Sequence, residues 1–250
     1  MQLAISQLHP IFVGLTNKIR STMSGILNSS IGRKFAMALS ALFLMVFLLQ
    51  HFAINSLSVL SPDTFNEVSQ FMGTFWVVQY VIQPVLIFGV IFHFVMGFVL
   101  EFKNWSARKV SYAKTNGSAN STWMSRNMLL TGAVVLAFMI LHFIDFWVPE
   151  INTKYIVGDM SGLMDPNIAE SGFRYHEELV HKFESPLRVG AYVLAFILLS
   201  LHLLHGFNSA FQSVGANNKY TKGLKGFSRV YAIGIPLGFI FIALFHHFNH

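Results

Sequence analysis

The chain has 250 residues, of which 11% are charged and 54% hydrophobic, with 26 phenylalanines, no cysteine and a formal net charge of +6. Soluble domains carry about 25% charged residues, so this composition excludes an ordinary water-facing surface. The missing cysteines exclude disulfides, cysteine-held iron–sulfur clusters and covalently attached haem. The positive charge falls in alternate loops rather than on a soluble basic domain, which excludes nucleic acid as a partner.

Residues 1–32 form a mixed N-terminal segment, with Pro10, Gly14 and Gly25 interrupting any long helix and no small-residue cleavage site of a signal peptide. Its short string HPIFVGL fits a membrane-surface contact or a loose tail. Ser29 or Ser30 is placed to cap a helix that leads through Arg33 and Lys34 into apolar run I, Phe35 to Leu57. A loop with Pro62, Asp63 and Glu67 follows, then run II from Phe75 to Phe102, where Pro84 predicts a kink. Lys103 to Arg126 is basic and polar, and run III spans Asn127 to Val148. The polar stretch from Pro149 to Pro186 contains RYHEELVHKF, a short amphipathic helix by pattern. Run IV, Leu187 to Gln212, precedes another basic loop, and run V covers Phe227 to Phe248. Each run is long enough to cross a bilayer.

Charge sets the orientation. Thirteen of the 17 basic residues lie before run I, between II and III, or between IV and V, counting Arg229 at the very start of run V; the other four are Lys154, Arg174, Lys182 and Arg188. Basic loops stay in the cytoplasm. The expected fold is therefore an all-α membrane protein, a five-transmembrane-helix bundle over residues 33–250. Its N-terminus is cytoplasmic and its C-terminus outside, in the inner (cytoplasmic) membrane.

Runs I to IV each carry a deep histidine: His51, His93, His142 and His202. A neutral imidazole in hydrocarbon is costly unless something binds it. At 1.5 Å per residue, His51 lies ~24 Å and His142 ~22 Å from the cytoplasmic ends of their runs, whereas His93 and His202 lie ~14 Å and ~15 Å from theirs. Two pairs result, His51 with His142 in the outer half and His93 with His202 in the inner half. Two imidazoles on opposite faces of a porphyrin give a six-coordinate iron suited to electron transfer. Two haems at different depths would form a relay across the membrane.

Gly89 and Gly97 stand four residues before and after His93, and Gly206 stands four after His202. The missing side chains on those stripes leave room for a flat macrocycle. His205 is a second imidazole on run IV, and depth alone does not separate it from His202. The stripe does: Leu201 would crowd a ring beside His205, so ligation falls to His202 and a neighbouring or interfacial role to His205. His9, His176, His181, His246, His247 and His250 fall in loops or at run ends, where solvation is expected.

In these residues the chain resembles the cytochrome b membrane-anchor subunit of succinate dehydrogenases and fumarate reductases, in the di-haem, five-helix, single-chain type. The strings LLQHFAIN, IFHFVMG, ILHFIDFW and HLLHGFNSAF carry the likeness, over roughly residues 30–248. The resemblance implies His51 and His142 as ligands of the distal haem b, and His93 and His202 as ligands of the proximal one. It also implies an FAD flavoprotein and an iron–sulfur subunit on the cytoplasmic side, with menaquinone as the membrane substrate. The chain itself would hold no succinate-oxidising site. Quinone chemistry moves protons with electrons, and Glu67 and Asp145, near the outer haem, are the candidate acid–base groups. Two rival readings share the same features. One is the haem b subunit of a hydrogenase or formate dehydrogenase, the other a haem-free anchor or transporter with the histidines as a proton path.

Overall fold

A computed structural model of the chain describes residues 29–106, 127–168, 170–216 and 221–249. The N-terminal segment with His9, the end of the loop between the second and third runs, Lys219 and His250 lie outside the described residues. The architecture is all-helical, with no strand among the described residues beyond a single bridge between Leu163 and Phe173.

Helix α1 runs from Ser30 to Leu60, and Ser29 caps it by accepting from the Gly32 N–H at 2.9 Å. After the single extended residue Ser61 the chain enters α2, Pro62–Thr74, in the region expected to be a loop. Its start carries the residues a helix N-terminus prefers: Ser61 as cap, Pro62 in the first turn, and Asp63 against the positive end of the dipole. Helix α3 begins as a π-helical turn, Val78–Ile82, and continues as an α-helix, Gln83–Ser106. The kink expected at Pro84 takes this form. Pro84 has no N–H to give the carbonyl one turn back, and the wider turn just before it absorbs the mismatch.

Helix α4 covers Met128–Val157, longer than run III, and its C-terminal part alternates between π-helical Phe143–Trp147, α-helical Val148–Ile151 and π-helical Asn152–Val157. Pro149 does not stop it: it sits just past the π-helical turn, whose widened geometry accommodates a residue with no N–H to donate. Gly158, at φ 86°, ends the helix in the left-handed conformation. The amphipathic segment forms α5, Tyr175–Phe183. Helix α6, Pro186–Ser213, is capped by Ser185, and α7 is Thr221–Phe248.

Five helices, α1, α3, α4, α6 and α7, are long and apolar enough to cross a membrane. Their outward residues fit hydrocarbon: Val46, Phe88 and Phe241 are exposed. Between helices in lipid the hydrophobic effect adds little, so close packing and hydrogen bonds must hold them. Helix α6 packs against α7, α4 and α1. Phe196 of α6 stacks on Phe239 of α7 at 5.2 Å, and the Tyr231 hydroxyl of α7 donates to the Met45 carbonyl of α1 at 2.5 Å. Gly238 lets α1 and α7 approach, since a Cβ there would strike the ring of Phe52.

At the end of the bundle where α1 finishes, α2 and α5 lie over the helix ends. Phe65 of α2 and Leu179 and Phe183 of α5 are buried in the common core. A polar clamp fastens this cover to α4. Glu150 takes Lys154 at 2.6 Å and Arg174 at 2.5 Å, while Arg174 also holds Glu178 at 2.6 Å. The Tyr175 hydroxyl donates to Gln70 of α2 at 2.5 Å. Burial and the nearby Glu150 charge push the Tyr175 phenol well above its ordinary value, so it stays a hydrogen-bond donor.

Candidate functional site

Helices α1, α3, α4 and α6 enclose an elongated cavity of about 670 Å³. Its lining is mostly apolar. His51, His93, His142 and His202 all open onto it. At one end it meets Phe146, Trp147 and Phe183, beneath the α5 cover; at the other it meets Lys34, Glu101, Asn104 and Gln212.

Adjacent spanning helices run in opposite directions, so α1 and α4 ascend together while α3 and α6 descend. Residues late in α1 and α4 therefore share a level, as do His93 and His202 nearer the other end. His51 faces His142 with ring centroids 5.8 Å apart and planes at 86°. His93 faces His202 at 6.4 Å and 71°. A metal bound to two imidazoles with bonds of ~2 Å, each nitrogen ~1.15 Å from its ring centre, needs centroids roughly 6.3 Å apart. Both pairs come close to that separation. Among the described residues no three His, Asp, Glu or Cys side chains gather around one point. A metal at either pair would need its remaining ligands from a non-protein group, and a porphyrin supplies four nitrogens in a plane. These residues fit haem.

The rings are held by neighbours. The Ser40 hydroxyl of α1, itself buried, lies 3.1 Å from His93 Nδ1. Thr131 Oγ1 of α4 lies 3.3 Å from His202 Nδ1. In the His51–His142 pair, Asn55 Nδ2 lies 3.4 Å from the ring nitrogens of His51 and donates to its own helix at the His51 carbonyl. His142 Nδ1 is buried and has no hydrogen-bond partner among the described residues.

The remaining expected residues divide between this cavity and other places. Gly97 and Gly206 line it, and so does Gly132, where a Cβ would rest 3.5 Å from the His202 ring. Gly89 does not. Its missing side chain faces Phe43 of α1, where a Cβ would meet the ring at 2.9 Å, so its smallness serves the α1–α3 contact. His205 is half-buried and lies off the cavity wall, whereas His202 is on it.

Asp145 is buried but also off the wall. Its Oδ2 accepts from the Tyr192 hydroxyl at 2.9 Å and pairs with Arg188 Nε at 3.1 Å. The π-helical turn at Phe143–Trp147 explains this. In an α-helix a three-residue step turns 300°, nearly back to the starting face. At the roughly 4.4 residues per turn of an i→i+5 helix, three residues fall well short and four come back. Phe146 accordingly returns beside His142, with rings 5.2 Å apart, and Asp145 swings toward α6. Glu67 lies on the exposed side of α2, on the cover.

His246, expected in solvent, is buried. Its Nε2 is 2.9 Å from Ser58 Oγ, and its ring lies 5.4 Å from that of His176 on α5. The cover supplies the burial: α2, where a loop is expected, and α5, the expected amphipathic helix, come together over the end of α7.

No protein-family model matches the chain, and neither a curated protein nor a solved structure matches it.

Proposed function

We propose that this chain is the haem b membrane-anchor subunit of a succinate:quinone oxidoreductase. In that role it relays electrons between a cytoplasmic iron–sulfur and FAD flavoprotein pair and menaquinone in the inner membrane. The observation that carries the reading is the pair of facing imidazole pairs, at two levels of one apolar cavity, on four helices of alternating direction. Haem bound at each level supplies one-electron transfer.

The protein's own contribution is holding, spacing and insulation. His51 with His142, and His93 with His202, fix the depth of each iron. The apolar wall excludes water and lowers the local dielectric, and the α2–α5 cover closes the outer end with Phe183. At the other end Lys34, Asn104 and Gln212 offer donors suited to the carboxylates that edge a haem. With its basic loops in the cytoplasm this mouth faces inward, toward the partner subunits. Glu67, exposed on the outer cover, is the group placed for proton exchange with a quinone.

The test is a count. The native complex, purified from membranes in mild detergent, is expected to give two b-type haems per copy of this chain by pyridine haemochromogen. Flavin and iron–sulfur subunits should copurify. A purified chain with no haem overturns the haem reading, and two haems with hydrogenase or formate dehydrogenase activity instead of succinate or fumarate turnover overturns the assignment of the complex.

A further inference from the structure

The two histidine pairs differ in what their second ring nitrogen meets. Ser40 has one hydroxyl hydrogen, and its Oγ donates to the Met37 carbonyl of its own helix at 2.8 Å. Thr131 likewise gives its hydrogen back to its own helix, at the Met128 carbonyl 3.0 Å away and the Asn127 carbonyl at 3.2 Å. A hydroxyl that has spent its hydrogen can only accept from a third group. With both hydroxyl hydrogens directed to their own helices, His93 Nδ1 and His202 Nδ1 are left as the donors in their contacts with Ser40 and Thr131.

We infer that Ser40 and Thr131 are positioning residues that lock His93 and His202 in the Nδ1–H tautomer, presenting both Nε2 lone pairs to a metal between them. The inference rests on the haem reading above and adds to it a specific control of the inner level. Each hydroxyl comes from a helix other than that of its histidine, so the α1–α3 and α4–α6 contacts set the ring orientation together with its protonation. Both hydroxyls are buried, Thr131 at 2% exposure, which keeps water from substituting for them.

The outer level lacks this arrangement. Asn55 approaches His51 with an amide nitrogen, which is a donor, and His142 Nδ1 meets no partner among the described residues. An acceptor on Nδ1–H makes the opposite nitrogen a stronger electron donor, which favours ferric over ferrous iron. Ser40 and Thr131 therefore hold the inner haem's potential down, and the outer haem does not feel them.

The experiment is an optical redox titration of the native complex carrying Ser40→Ala, Thr131→Val or neither, with haem counted in each. Each variant should keep two haems and raise one potential only. The shift should correspond to about a tenfold change in the ferric-to-ferrous ratio, which for a one-electron couple is ~59 mV. Ser40→Thr, which restores a hydroxyl, should return the potential to the native value. Loss of the inner haem alone, rescued by Ser40→Thr, also supports the role. Unmoved potentials in both variants, equal shifts of both haems, or loss of both haems would overturn it. A native complex without haem would instead overturn the underlying reading, and the two failures are distinct.

Discussion

Arg188 and Asp145 offer the sharpest test of the outer half of the bundle, because the two partners are buried so unequally. The Asp145 side chain is 1% exposed and that of Arg188 34% exposed, with 3.1 Å between them. Replacing Arg188 by Leu leaves a carboxylate among apolar side chains with only the Tyr192 hydroxyl to satisfy it. Removing one partner of a buried pair costs about 3–5 kcal/mol, nearly all of it from the charge left behind. Asp145→Asn is different. The amide keeps an acceptor for Tyr192, and the partly exposed guanidinium turns to water or lipid phosphate, so the loss should stay near the ~1 kcal/mol of a solvent-exposed pair. The double variant removes the stranded charge and should recover part of what Arg188→Leu loses. In thermal unfolding followed by circular dichroism, with about 2–4 °C per kcal/mol for a chain of this size, Arg188→Leu should fall by roughly 6–20 °C and Asp145→Asn by a few degrees. If Arg188→Leu is no worse than Asp145→Asn, or the double variant is worse than Arg188→Leu, the pair is not buried in the way described.

His202→Ala should remove one haem and leave the other, whereas His205→Ala should keep both, as counted by haemochromogen; loss of a haem from the His205 variant alone would transfer the ligand role to it. Glu67→Gln should slow reduction of a water-soluble menaquinone analogue while both haems remain bound. Unchanged turnover would move the proton step to another group.

Much of the spanning architecture is legible in the sequence because hydrocarbon asks little of it. A run of apolar residues is enough, and the five runs match the five helices to within a few residues at most ends. The histidine pairs are legible too, since alternating direction and 1.5 Å per residue fix depth without knowledge of packing. Faces are harder to read. Gly89 lies on the His93 stripe by simple counting, yet the α1–α3 contact takes it for Phe43. Ser40 and Thr131 look like incidental polar residues in apolar runs, and their partners sit 53 and 71 positions away in the chain. Of the cover, α5 is legible as an amphipathic pattern, whereas α2 reads as a loop because it is short and polar and its packing depends on α5. Their burial, with that of Lys154 and His246, comes from one another.

A π-helical turn is an α-helix carrying one surplus residue, and α4 carries two such turns beyond His142. Everything past Phe143 is therefore offset from the phase of the inner half. Insertions and deletions acquire a position-dependent meaning in consequence. Taking one residue out of Phe143–Trp147 would let that stretch relax to ordinary α geometry at nearly the same axial length and heading, since five residues at ~82° and four at ~100° both turn through about 400°, so Glu150 and Lys154 would keep their aim. The same deletion in α1, which has no surplus, would instead drag His51 about one residue's rise out of level with His142. In α4 a residue can be lost from a π-turn while both the reach and the heading of the helix beyond it are kept; in α1 neither would be.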